Sequence, residues 1–176
     1  RGLLANANKA TTVLAERTGA PVHVFPSGPH GLRHPVGEPL ADGDVIETAE
    51  FRLRAIHTPG HAADHVCFLL KNEGLLFAGD QVMEGATVVI APPDGHMGQY
   101  LAALERLQTL DLAAIAPAHG RVLCEPQRLL AAIVTHRRQR EAKVLAALRR
   151  VGHGTPETLV ADVYADVPAF LHLAAR

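Results

Sequence analysis

The sequence predicts an α/β fold, on three observations. Apolar runs of strand length alternate with longer stretches whose apolar residues recur every three or four positions. Three of the strand-like runs end in loops of small residues: His57-Thr58-Pro59-Gly60-His61, Phe77-Ala78-Gly79-Asp80 and Pro117-Ala118-His119-Gly120. Each loop carries a metal-competent side chain, so one edge of a sheet would gather an imidazole, a carboxylate and a second imidazole. Apolar residues make up 48% of the 176, enough to build a core.

The elements follow in order. Residues 2–18 are rich in Ala and Leu, with Leu3, Leu4, Ala10, Val13 and Leu14 toward one face. A helix is expected there, ending before Gly19. Pro21–Phe25 reads as a short buried strand. Pro26–Leu40 carries six more glycines and prolines together with His30 and His34, which makes it a long loop of the functional or mobile kind. Those two histidines are candidates for lining a substrate cleft.

Ala41-Asp42-Gly43-Asp44 is a turn. Val45–Glu47 and Phe51–Ile56 read as a strand pair, the second alternating Phe51, Leu53 and Ala55 against Arg52 and Arg54. Val66–Leu70 and Leu75–Phe77 flank Lys71-Asn72-Glu73-Gly74 as a hairpin. Asp94 is expected to cap a helix over residues 96–110, whose core face is Met97, Tyr100, Leu101, Leu104 and Leu107. Leu112–Ala116 is a strand, Pro126 starts a long helix to Arg150, and Gly152-His153-Gly154 breaks it. Thr155 caps a further helix with Pro156 at its first position. Val167-Pro168 separates this from a last helix over Phe170–Arg176.

Composition excludes some classes. The formal charge of −1 announces neither a nucleic-acid surface nor an acidic tail. No apolar run approaches the roughly 20 residues of a membrane span. Cys67 and Cys124 form no Cys-x-x-Cys pattern and read as buried thiols of a reducing, cytoplasmic compartment.

His61 follows a Pro-Gly turn that lets the imidazole fold back over its strand. Taken alone, Asp80 is a turn former and His119 a solvated histidine. Together, each at the C-terminal end of its own strand, His61, Asp80 and His119 form a pattern that chance seldom makes. Asp64 reads as a turn former, and His65 as structural or as orienting a ligand. His57 and Tyr100 read as structural.

The order Thr-Pro-Gly-His, Phe-Ala-Gly-Asp, Pro-Ala-His-Gly resembles the metallo-β-lactamase superfamily. The segment Ala91-Pro92-Pro93-Asp94-Gly95 with Met97 and Tyr100, and Thr135-His136-Arg137-Arg138-Gln139-Arg140-Glu141, look like its β-lactamase-like protein 2 branch. The resemblance covers nearly the whole chain. It implies an αββα sandwich, with this chain holding the second sheet almost whole and only part of the first, over residues 1–135. A linker helix and the start of a winged-helix domain would follow over residues 136–176. It implies two zinc ions: His61 on the first, His119 on the second, and Asp80 bridging both as the catalytic carboxylate. The two ions would share a hydroxide.

The superfamily's His-x-His-x-Asp-His motif does not occur in this sequence; by resemblance it would directly precede the first helix. Without it each cation keeps one histidine and Asp80, fewer than the three protein ligands of a catalytic zinc site. Tight metal binding by these 176 residues alone is therefore not expected. The function implied for the whole protein is metal-dependent hydrolysis of an ester, thioester or phosphodiester. The substrate would be a small-molecule (thio)ester or single-stranded RNA. A nucleic-acid-binding protein acting through the C-terminal helices and an inactive scaffold are the readings from other classes. The first has Arg137, Arg138 and Arg140 in its favour, but a mostly apolar last helix against it.

Overall fold

A computed structural model of the chain describes residues 11–26 and 39–164. The loop histidines His30 and His34 and the last expected helix lie outside the described residues. By contacts the chain divides into two units, Arg1–Arg128 and Leu129–Arg176.

In the first unit, helix α1 is helical over residues 11–18 and ends where Gly19 N–H reaches Ala15 O at 2.8 Å. Five strands follow: β1 (Val45–Glu47), β2 (Arg52–His57), β3 (Val66–Leu70), β4 (Leu75–Gly79) and β5 (Ala114–Pro117). They form one sheet in sequence order. β1 to β4 are antiparallel neighbours, and β5 joins β4 in parallel. Helix α2 (Met97–Gln108) lies between β4 and β5 in the chain, as a parallel connection requires.

Pairing register sorts the sheet into two faces. Ile56 pairs with Cys67, and Leu69, Leu76 and Ile115 pair in a row. All of these are buried, three of them with no exposure at all. Each large apolar side chain fully removed from water contributes about 1.5–3 kcal/mol, so this row anchors the sheet. Phe68, Phe77 and Ala116 pair on the opposite face. That face is apolar yet half-buried, and Phe77 is 43% exposed.

Three local expectations need correction. Pro21–Phe25 is not a strand; Val24 O accepts a hydrogen bond from Leu40 N–H at 2.9 Å, but no ladder forms, and a strand without a partner has no ladder to hold it. Helix α2 is capped by His96, whose ring accepts from Gln99 N–H, not by Asp94. The Asp94 carboxylate instead accepts the Ala63 N–H at 2.9 Å. Cys124 is exposed, whereas Cys67 is buried. Burial, opposed only by the Thr58 hydrogen bond, pushes the Cys67 thiol up to about 12. Native chain is therefore expected to react with one equivalent of a thiol reagent at pH 8, at Cys124, and unfolded chain with two. Two in the native state would show that the sheet opens around Cys67. Because the folded thiol titrates above the unfolded one, the stability it contributes is full below about pH 9 and is lost as pH rises toward 12.

Helix α3 (Pro126–Val151) spans the division between the units, and α4 (Pro156–Val163) belongs to the second. Thr155 caps α4 and Pro156 opens it. Ala147, Leu159 and Val163 form the second unit's core, with Val144, Leu148 and Tyr164 packed on it. Arg140 donates to Val163 O at 2.8 Å and lies over the Tyr164 ring. The linker helix expected over residues 136–150 lies within α3, and α4 follows it, but two helices do not make a winged helix. Among the described residues no helix is long and apolar enough to cross a membrane.

Candidate metal centre

His61, Asp80 and His119 arrive at one edge from three strand ends. β2 ends at His57, four residues before His61. Its end is clamped: the Asp42 carboxylate accepts the His57 N–H at 2.8 Å and both Arg106 terminal nitrogens at 3.0 and 2.9 Å. Burial would raise Asp42, but Arg106 and the His57 N–H outweigh it and hold the carboxyl below its ordinary value. The His57 ring stacks on Phe25 with centroids 3.8 Å apart and bonds Ala63 O through Nε2. That is the structural role expected of it.

The turn then passes close under α2. Gly60 has φ +134°, and a β-carbon there would meet the Tyr100 backbone at 2.4 Å. Its carbonyl accepts the His96 N–H at 2.8 Å. Tyr100 is fully buried, with its hydroxyl donating to Gln81 O at 3.0 Å.

Asp80 follows β4 directly, after a register irregularity between Phe77 and Gly79. Such irregularities bend a strand end and re-aim the next side chain. The Asp80 N–H donates to His65 Nε2 at 3.2 Å. That makes Nε2 the acceptor, so Nδ1 carries the proton and donates to Thr58 Oγ at 2.8 Å. Burial, with the neighbouring His61, pushes His65 down to about 4. A neutral His65 therefore fixes the backbone beneath Asp80 and offers no free nitrogen to a cation.

His119 sits two residues beyond β5. The chain returns at once, with Ile115 and Leu123 exchanging both backbone hydrogen bonds at 2.9 and 2.8 Å.

The three side chains meet pairwise. His61 Nε2 is 3.9 Å from Asp80 Oδ2, and His119 Nε2 is 3.5 Å from Asp80 Oδ1. Two donors about 2.1 Å from one tetrahedral cation stand about 3.4 Å apart; the His119 pair at 3.5 Å has that separation, and the His61 pair at 3.9 Å is wider. Asp80 Oδ1 is buried with no hydrogen-bond partner, an orphaned acceptor that costs free energy unless a cation or donor meets it. His61 Nδ1 bonds Val89 O at 2.8 Å. A carbonyl accepts only, so Nδ1 carries a proton, and Nε2 is the nitrogen turned toward Asp80, as in a ligating histidine whose other nitrogen bonds a carbonyl. The donor set thus fits a divalent cation in kind, and its His119 pair fits in spacing. It is incomplete in number: among the described residues no group of three or more His, Cys, Asp or Glu closes around one point.

The chain matches the Metallo-beta-lactamase superfamily profile over residues 3–119. It belongs to that superfamily.

Relatives of this metallo-β-lactamase chain include the atrochrysone carboxyl ACP thioesterase nsrC of Aspergillus novofumigatus, 32% identical over 139 residues, covering 73% of this chain and 42% of that protein. Among solved structures, the metallo-beta-lactamase family protein TTHA1429 from Thermus thermophilus superposes with a TM-score of 0.61 at 27% identity, over 82% of this chain and 50% of that one. TTHA1623, solved in a di-iron-bound form, shares the fold with a TM-score of 0.55 at 23% identity, over 68% of this chain and 67% of its own. The chain spans about two-fifths of the length of the curated relatives it matches. These relatives are lactamase-like proteins and thioesterases and do not single out the β-lactamase-like protein 2 branch.

Sequence reasoning missed the groups that hold the three side chains: the Val89 carbonyl, the Asp94–Ala63 bond, and a Glu84–Arg121 pair beside His119. None has a local signature, because each joins residues at least 28 apart.

Proposed function

We propose that this chain is the metal-binding part of a thioester hydrolase. The observation that carries the reading is the Asp80 carboxylate with an imidazole Nε2 facing each of its oxygens. His61 and Asp80 would hold one divalent cation, and Asp80 and His119 the other. Zinc suits this donor set. When bound, such cations supply Lewis acidity toward water and the substrate carbonyl. Val89 O keeps the His61 ring in its ligating tautomer, and His65 keeps the Asp80 backbone in place. Hydrolysis adds water across the C–S bond and yields a carboxylic acid and a thiol.

The substrate class rests on relatives named as acyl-carrier thioesterases. Arg140, part of the cluster that suggested RNA, is engaged with Val163 and Tyr164, a structural use.

The test uses the whole protein, with zinc and iron content measured after dialysis. Acyl thioesters, a β-lactam and single-stranded RNA are then offered with and without a chelator. Thioester cleavage that the chelator abolishes is expected. Chelator-insensitive cleavage, or cleavage of RNA alone by metal-loaded protein, overturns the reading. Activity on no substrate, with metal bound, returns the scaffold reading.

A further inference from the structure

His119 is the most exposed member of the site, with 70% of its side chain open to solvent, and among the described residues its ring meets Asp80 alone. No bond from its own ring fixes where it points. Its direction is therefore set by the backbone of the turn that carries it. Three backbone groups of that turn are gripped, two of them by Glu84. Ala118 N–H donates to Gly79 O at 2.9 Å, one residue before Asp80. Glu84 N–H approaches His119 O at 3.5 Å. Glu84 Oε2 accepts the backbone N–H of Arg121 at 2.8 Å, while Oε1 accepts Arg121 Nε and Nη2 at 2.9 and 2.6 Å. Between these bonds lies Gly120 at φ +107°, where an added β-carbon would sit 2.5 Å from Glu84 Cβ. Glu84 thus lies against the turn immediately after His119 and bonds on both sides of it.

The Arg121 side of the ion pair is 88% exposed, so its charge attraction alone contributes little to stability. What the pair supplies is geometry. One carboxylate oxygen takes a backbone N–H while the other takes the guanidinium, and this leaves the turn one orientation. The same loop reaches the other imidazole at its far end, where Val89 O holds His61 Nδ1. The segment from Gln81 to Ile90 therefore sets both histidines about Asp80.

We propose that Glu84 is a positioning residue for the Asp80–His119 cation site, acting through the backbone of the His119 turn with Arg121 as its charge partner. This rests on the reading of His119 as a ligand. The metal affinity of the whole protein is measured by equilibrium dialysis against a graded chelator, for wild type, H119A, E84A, E84Q and R121A. E84A is expected to weaken one of two metal equivalents about 10- to 100-fold, as loss of a group orienting a ligand does. The other equivalent stays within about threefold, an outer-shell effect confined to one site. H119A loses that same equivalent. E84Q loses less than E84A, because its amide oxygen still accepts the Arg121 N–H, and R121A falls between wild type and E84A. The thermal midpoint of the metal-free protein barely moves in any of them, since bound metal itself raises the midpoint. Equal weakening of both equivalents, a loss that tracks the metal-free midpoint, no loss, or failure of all three Glu84 and Arg121 variants to fold overturns the proposal. Wild-type protein that binds no metal, or an H119A variant that keeps both equivalents, overturns the ligand reading itself, and the inference with it.

Discussion

Asp80→Asn is expected to abolish the proposed thioester hydrolysis of the whole protein, by at least about a thousandfold, and to remove both proposed metal equivalents. The substitution keeps the shape of the side chain and changes its charge and one acceptor oxygen. Both oxygens of Asp80 face an imidazole, so on the proposed ligand set neither cation would keep its shared anionic ligand. Metal-derived stabilisation of several kcal/mol sets the size of the rate loss, at about 1.4 kcal/mol per factor of ten. The fold stays intact, because the Asp80 backbone, not its carboxylate, bonds His65. Steady-state hydrolysis and metal content check this together. A D80N protein that keeps two equivalents would show that Asp80 does not bridge.

The second large effect is on stability. Gly60→Ala is expected to cost about 3 kcal/mol, because it combines two penalties of about 1–3 kcal/mol each: a side chain at positive φ, and overpacking. The φ of +134° suits glycine, and the new methyl would sit 2.4 Å from the Tyr100 Cα and N. That neighbour is helix backbone and cannot rotate away. For a chain of this length the thermal midpoint falls by about 10 °C. Metal affinity falls as well, since the Pro59-Gly60 turn aims His61. Chemical denaturation of G60A beside wild type measures the loss. A change under about 1 kcal/mol, within the range of ordinary surface substitutions, would mean that α2 shifts to make room.

His61, Asp80 and His119 could be found in the sequence because each ends a strand-like run in a short loop of small residues. Such a loop has few conformations, so local chemistry already says where the side chain goes. The β3–β4 hairpin, the Pro126 helix start and the Thr155 cap of α4 were readable for the same reason. Pro21–Phe25 was misread because apolar composition describes a residue that suits a sheet, not one that has found a neighbour. Asp94 was misread as a cap because an acceptor in sequence reach of a helix start also lay in spatial reach of Ala63 N–H. The exposure of Cys124 depended on a short return past β5 that its flanking residues do not encode.

By itself the sequence determined the strand ends, the turn glycines and the kinds of donor brought to the edge, because these depend on backbone chemistry within a few residues. Only the tertiary structure decided which nitrogen of His61 turns toward Asp80, that His65 is neutral and occupied, that each imidazole faces a different oxygen of Asp80, and that Glu84 grips the His119 turn. Those depend on hydrogen bonds between residues from 7 to 37 positions apart. Such bonds form only once the sheet has brought the loops together, so no local pattern announces them.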